Sequence, residues 1–151
     1  MQIRDLKFNV QIRGEGGLPF VWRHGLMANM EAEDSLNWFG WDDFPKHVKL
    51  VRYDARGHGQ TQPTFAPEEY HWENLGKAMI VFADVLGIED FTAGGSSMGC
   101  ATTIYAALLA PERVKKMLLV IPPTAWETRA AQGEMYKKFS KVSGLALRAN
   151  L

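Results

Sequence analysis

A three-layer α/β fold, with a mostly parallel sheet carrying helices on both faces, is what this chain of 151 residues predicts. Three observations lead there. Short β-prone runs alternate with helical stripes from one end of the chain to the other. Met117-Leu118-Leu119-Val120-Ile121 is continuously apolar, as in a strand covered on both faces. Gly95-Ser96-Ser97-Met98-Gly99 fits G-x-S-x-G between a β-prone run and a helical run, the pattern of a strand turning sharply into a helix.

Taken in order, Ile3 to Arg13 alternates. Leu6, Phe8, Val10 and Ile12 share one face, which predicts a half-buried strand. Gly14-Glu15-Gly16-Gly17 turns the chain, and Phe20-Val21-Trp22 reads as a buried strand ending at His24-Gly25. Arg23 is out of place in an interior strand. Either it lies at the strand's end or it reaches a carboxylate. A short helix is expected over about Glu33 to Phe39, followed by an aromatic loop with Trp41 and Phe44. These aromatics, with Trp38, read first as core and second as an apolar wall for an acyl group.

Val48 to Tyr53 is a strand running into the glycine-punctuated turn Asp54-Ala55-Arg56-Gly57-His58-Gly59. From Trp72 to Leu86, Leu75, Ala78, Met79, Phe82, Val85 and Leu86 recur at spacings of three and four. That is a helix with one buried stripe, closed by Gly87. A strand over Ile88 to Ala93, the serine turn and a helix to Ala110 follow, and Pro111 stops the helix. Val114 to Ile121 is the next strand, and Thr128 to Ser143 is helix-prone. His24, Asp54 and Ser97 all fall just beyond the carboxyl ends of strands, where parallel sheets bind ligands.

Composition excludes several classes. Hydrophobic residues make up 46% and charged residues 23%, with formal net charge zero, which is ordinary globular composition. The pI near 6.9 gives no reason to expect nucleic acid or an anionic membrane as partner. No apolar run is long enough to span a bilayer, and Met1-Gln2-Ile3-Arg4-Asp5 lacks the apolar core of a signal peptide. The single cysteine, Cys100, fits a reducing compartment, and a cytoplasmic location is expected. Its expected role is that of a small buried apolar residue.

The glycines settle which serine sits at the apex. Ser97 has Gly95 and Gly99 two residues to either side, whereas Ser96 would need a glycine at Met98. Ser97 is therefore the candidate nucleophile. The helix N-terminus beside it offers free N–H groups and a partial positive charge, suited to a developing oxyanion.

Together these motifs resemble the N-terminal portion of an α/β-hydrolase. The matches are His24-Gly25, Trp38 downstream of it, Asp54 to Gly59, Leu86-Gly87-Ile88, the serine turn and Ala110-Pro111-Glu112-Arg113-Val114. The likeness runs from about Phe8 to Pro123. It implies Ser97 as nucleophile, with the backbone N–H groups of Leu26 and Met98 as the oxyanion hole. It implies structural roles for His24 and for the turn opened by Asp54. No cofactor or metal is expected. Ser96 and Cys100 depart from the residues common in the family, but both are small. Arg23 also departs, from an apolar or small residue.

The family order is serine, then acid, then histidine, the last two on loops after later strands. Here His24, His47, His58 and His71 all precede Ser97. The resemblance therefore implies that the acid, the base and the last strands are missing. Residues 1–123 are expected to form part of a hydrolase core and 124–151 the start of a cap. Two functions follow. One is a serine hydrolase acting on a small-molecule ester, lactone or related acyl substrate, weak or inactive in this chain alone. The other is a non-catalytic binding or assembly module on the same scaffold. The strand Val114 to Ile121 would lack its outer neighbour, so a homo-oligomer joined through that edge is expected.

Overall fold

The computed structural model describes residues 1–3, 6–123, 131, 134, 137 and 138. The cap segment expected over 124–151, and with it most of the helix expected over Thr128 to Ser143, lies outside the described residues.

Seven strands and three α-helices make up the described fold: β1 (Gln2–Ile3), β2 (Leu6–Lys7), β3 (Val10–Arg13), β4 (Phe20–Arg23), α1 (Met30–Ser35), β5 (Leu50–Tyr53), α2 (Trp72–Val85), β6 (Phe91–Ser96), α3 (Met98–Leu109) and β7 (Val114–Val120). The main sheet has the order β3-β5-β4-β6-β7. Its β4–β5, β4–β6 and β6–β7 pairs are parallel and only β3 runs against its neighbour. The register aligns Arg23 with both Tyr53 and Gly95. The chain therefore leaves β4, β5 and β6 at one level, and the residues after these three strands converge at one end of the sheet.

Alternation along the strands divides the core in two. Val21, Val51, Tyr53 and Ala93 face Met79, Phe82 and Ala83 of α2 and Ala106 of α3. Phe20, Trp22 and Leu50 face the other way, toward Trp41, Phe39 and Phe44. Helices thus cover both faces, the long pair α2 and α3 on one and the short α1 with its aromatic loop on the other. The aromatic loop is mostly core, with Trp41 buried, but Trp38 is half exposed.

Several elements depart from their expected bounds. The single strand expected over Ile3 to Arg13 is instead a separate antiparallel pair, β1 with β2, followed by β3 in the main sheet. Backbone pairing, invisible to a period-two pattern, decides that break, and it leaves Ile12 exposed. α1 starts before the expected Glu33, because Asn29 caps it by accepting a hydrogen bond from the Ala32 amide at 2.7 Å. α2 and its Gly87 terminator, with φ of 64°, agree with expectation, although Val85 is exposed. β6 runs on through Ser96, and α3 begins at Met98.

β7 has the run of a strand suited to cover on both faces, yet Met117, Leu118 and Ile121 are 52%, 50% and 76% exposed, as expected of a strand that lacks its outer neighbour. Among the described residues β7 pairs only with β6. An apolar run reports what a strand is suited to pack against, and cannot supply the layer that covers it.

Candidate active site

Ser97 stands between the last residue of β6 and the first of α3, with φ 49° and ψ −109°. A non-glycine residue rarely adopts positive φ, and such strain persists only where the surroundings enforce it. They do so here. The Ser97 amide donates to the carbonyl of Val120 at 2.9 Å, and the Ser97 carbonyl accepts from the Cys100 amide at 2.9 Å. A side chain on Gly95 would run into the backbone of Gly99, and one on Gly99 into the carbonyl of Arg23. Ser96 remains in the strand and is buried, whereas Ser97 is partly exposed. The geometry therefore agrees with Ser97, and not Ser96, at the apex.

Gly25 lies directly over the turn: a methyl group on it would stand 3.4 Å from Cβ of Ser97. The next residue, Leu26, is exposed. No hydrogen bond from the Leu26 amide or the Met98 amide engages a described residue. Met98 is the first residue of α3, so its N–H has no partner within the helix.

His24 is buried and uses both ring nitrogens on backbone. Nδ1 donates to the carbonyl of Gly25 at 2.7 Å, and Nε2 accepts from the amide of Ala55 at 3.0 Å. Burial, and then the neighbouring Arg23 charge, lower its pKa to about 3. Its approach to Asp54, Nε2 to Oδ1 at 3.9 Å, is accordingly not a charged pair at neutral pH. His58 lies between two backbone carbonyls, with Nδ1 2.9 Å from that of Arg56 and Nε2 2.8 Å from that of Leu26, and a neutral ring donates to only one of them at a time. His47 and His71 are exposed on other loops. No described side chain hydrogen-bonds the Ser97 hydroxyl.

Asp54 is a hub. Oδ1 accepts from the Met30 amide at 2.8 Å, while Oδ2 accepts from Asn9 Nδ2 at 2.8 Å and from the Gln60 amide at 3.1 Å. It therefore ties the start of α1, the residue that leads into β3 and its own turn together. Thr61 completes the knot, its hydroxyl donating to the Asp54 carbonyl at 2.7 Å. Asn9, Gln60 and Thr61 carried no sequence signal, since their role depends on strands far apart in the chain.

Two arginines sit beneath this end of the sheet. Arg23 is at the strand's end, as one of its two expectations had it. The other expectation fails, because no carboxylate among the described residues pairs with it. Its Nη1 donates to the carbonyl of His24 at 3.1 Å and Nη2 to Met98 Sδ at 3.6 Å. Arg52, on the opposite face, is fully partnered in charge. It meets Glu33 at 3.2 Å and Asp34 at 2.6 Å and lies 4.6 Å from the Trp41 ring centre. Both carboxylate oxygens of Glu33 also accept from Trp22 Nε1 at 3.1 Å. Burial raises the pKa of Glu33 against the lowering effects of Trp22 and Arg52.

Cys100 is buried, and its single S–H is shared between the carbonyls of Gly95 at 3.0 Å and Val120 at 3.2 Å. Burial raises its pKa, which keeps it a protonated thiol and a poor nucleophile. Among the described residues no group of His, Cys, Asp and Glu side chains is placed to hold a metal ion, and no helix is long and apolar enough to cross a membrane.

Comparison with known proteins gives the same architecture. The family model of the alpha/beta hydrolase fold matches residues 19–145. The chain is 32% identical over 135 residues to 3-oxoadipate enol-lactonase 2 of Acinetobacter baylyi, a match covering 84% of this chain and 48% of that protein. Among solved structures it resembles the enol-lactonase of Burkholderia xenovorans LB400, with a TM-score of 0.64 and 25% identity, covering 76% of this chain and 43% of the other. An epoxide hydrolase of Bacillus megaterium superposes with a TM-score of 0.73 at 18% identity over 94% of this chain and 49% of the other, a likeness of fold. The chain spans 28% to 48% of the length of the curated relatives it matches.

Proposed function

The chain belongs to the alpha/beta hydrolase fold family, and on that premise we propose that it is the nucleophile-bearing part of a serine hydrolase acting on an ester, lactone or related small acyl substrate. The observation that carries this is the strained backbone of Ser97, φ 49°, directly beneath Gly25. In this reading Ser97 Oγ attacks the substrate carbonyl carbon. The negative charge that develops on the carbonyl oxygen is held by the N–H groups of Met98 and Leu26. His24 and Asp54 hold the floor of the site and take no part in proton transfer. The 32% identity to an enol-lactonase favours cyclic or enol esters among possible substrates.

An unassisted serine hydroxyl is a poor nucleophile and needs a base within hydrogen-bond reach. His24 and His58 already face backbone partners through both ring nitrogens. The reading therefore assigns the base and its orienting acid to positions outside these 151 residues. It also makes the protein a homo-oligomer through the exposed edge of β7, working in a reducing compartment such as the cytoplasm, where Cys100 stays free.

Labelling tests the nucleophile. Slow reaction of the purified chain with a fluorophosphonate, followed by peptide mapping, is expected to place the adduct on Ser97. An adduct on Ser96, or labelling undiminished in Ser97→Ala, would falsify the assignment. Turnover of p-nitrophenyl acetate is expected to lie roughly four or more orders of magnitude below that of a complete enzyme. Vigorous turnover abolished by His24→Ala or His58→Ala with the fold intact would place the base inside the chain after all.

A further inference from the structure

Arg23 reaches both of the segments that carry the proposed oxyanion donors. Nη1 donates to the carbonyl of His24 at 3.1 Å, in the loop that leads to Leu26. Nη2 donates to Sδ of Met98 at 3.6 Å. The end of β4 also lies against the serine turn. Arg23 pairs in register with Gly95, and a side chain on Gly99 would meet the Arg23 carbonyl. Each donor N–H thus belongs to a segment held by one arm of the same guanidinium, although the two segments are far apart in the chain.

The guanidinium is also a charge without a counter-charge. It is 1% exposed, and no carboxylate among the described residues pairs with it. The other two buried arginines differ: Arg52 meets Glu33 and Asp34, and Arg56 meets Glu69 at 3.0 Å. Tyr53, its register partner on β5, is no anion, because burial raises the hydroxyl pKa to about 12. Asp54 engages its two oxygens with the Met30 and Gln60 amides and with Asn9. Burial lowers the pKa of Arg23 to about 10, so it stays charged at neutral pH. Its contact, Met98, opens α3, where the helix dipole adds positive potential of its own. A buried cation in such a place is costly, and a negative charge nearby offsets the cost. An oxyanion between the Leu26 and Met98 amides would supply that negative charge.

We propose that Arg23 is a positioning residue for the oxyanion hole: it locks the His24-Gly25-Leu26 loop to the start of α3, and its uncompensated charge favours an anionic tetrahedral adduct on Ser97. The inference rests on the reading of Ser97 as nucleophile and names what holds the two donors in register. Arg23 touches no substrate and moves no proton. It acts through the backbone it holds and through its field, which the buried surroundings screen little.

The second-order rate of fluorophosphonate labelling tests it, with folding of each variant checked by circular dichroism. Ser97 Oγ forms the bond to phosphorus, fluoride leaves and the hydroxyl proton goes to solvent. Arg23→Met is expected to label about tenfold more slowly, the order set by one unit charge acting through protein over several ångströms. Arg23→Lys keeps the charge and one arm, and should recover most of that loss. A purely structural role predicts instead that Lys and Met lose alike, since neither reproduces the two-armed grip. Met98→Leu conserves volume and the backbone N–H but frees one arm, and should label severalfold more slowly than the parent. Arg23→Met labelling at the parent's rate, or Arg23→Lys no faster than Arg23→Met, would overturn the proposal and leave Ser97 standing. Should Arg23→Met not fold, Met98→Leu decides: slower labelling supports the proposal and the parent's rate overturns it. A parent chain that does not label on Ser97 would remove the nucleophile, and the role of Arg23 with it.

Discussion

Nε2 of His24 accepts a hydrogen bond from the backbone amide of Ala55 across 3.0 Å, and so joins the end of β4 to the turn that follows β5. With Nδ1 committed to the Gly25 carbonyl, the ring is a neutral strut between two loops. A histidine next to the nucleophile turn invites reading as a base. Here a proton on Nε2 would break the bond to Ala55 and place a charge beside Arg23.

Stability is expected to carry a signature of that strut in its pH dependence. Burial and the Arg23 charge lower the His24 pKa in the folded chain to about 3, below its ordinary value of 6.5. The unfolded chain therefore binds the proton first. The stabilisation from neutral His24 is complete above pH 6.5 and is lost as pH falls from there toward 3. The loss approaches about 1.4 kcal/mol per pH unit at most. Urea unfolding of the parent and of His24→Gln, at several pH values between 7 and 4, should show a difference between the two that narrows as pH falls. A constant difference would mean that His24 is not held neutral.

Glu33 is expected to be the costliest carboxylate to remove. It is buried, contacts Arg52 at 3.2 Å and accepts from Trp22 Nε1. Glu33→Ala leaves a buried guanidinium short of a partner and an indole N–H unsatisfied, a loss of about 3–5 kcal/mol. Asp34, whose side chain is 38% exposed, should cost far less despite its shorter contact with Arg52. Equal losses for Glu33→Ala and Asp34→Ala in chemical denaturation would contradict this ranking.

Ser97→Gly should stabilise the chain by about 1 kcal/mol while removing fluorophosphonate labelling. The backbone at φ 49° is strained for serine and relaxed for glycine. Ser97→Ala removes the hydroxyl but keeps the strain, so it should melt below Ser97→Gly. Calorimetry of the two variants checks the order, and Ser97→Gly melting lower would argue against stored strain.

Assembly follows from β7. Its outer edge is unpaired among the described residues, and Met117, Leu118 and Ile121 are at least half exposed. Edges of that kind are commonly charged, bulged or covered. Light scattering is expected to find a homodimer or larger species, and Leu118→Lys should shift it toward monomer. A compact monomer at high dilution that binds little hydrophobic dye would refute the edge as an interface.

Wherever one short stretch of chain constrains itself, the sequence was sufficient. The spacing of Gly95, Ser97 and Gly99 identified the apex, because backbone strain and side-chain clearance act over a few residues. The stripe from Leu75 to Phe82 located α2, because a helix aligns its own side chains. The positions of His24, Asp54 and Ser97 just past strand ends placed them at one end of the sheet. Only the tertiary structure decided which partners the long polar side chains reach. Arg23 and Arg52 occupy neighbouring strands, one residue apart in register, yet Arg52 meets two carboxylates and Arg23 none. That difference depends on which face each strand turns to α1 and which to α2. The alternation of a strand states that two faces exist, and only the packing of distant segments states what lies on each.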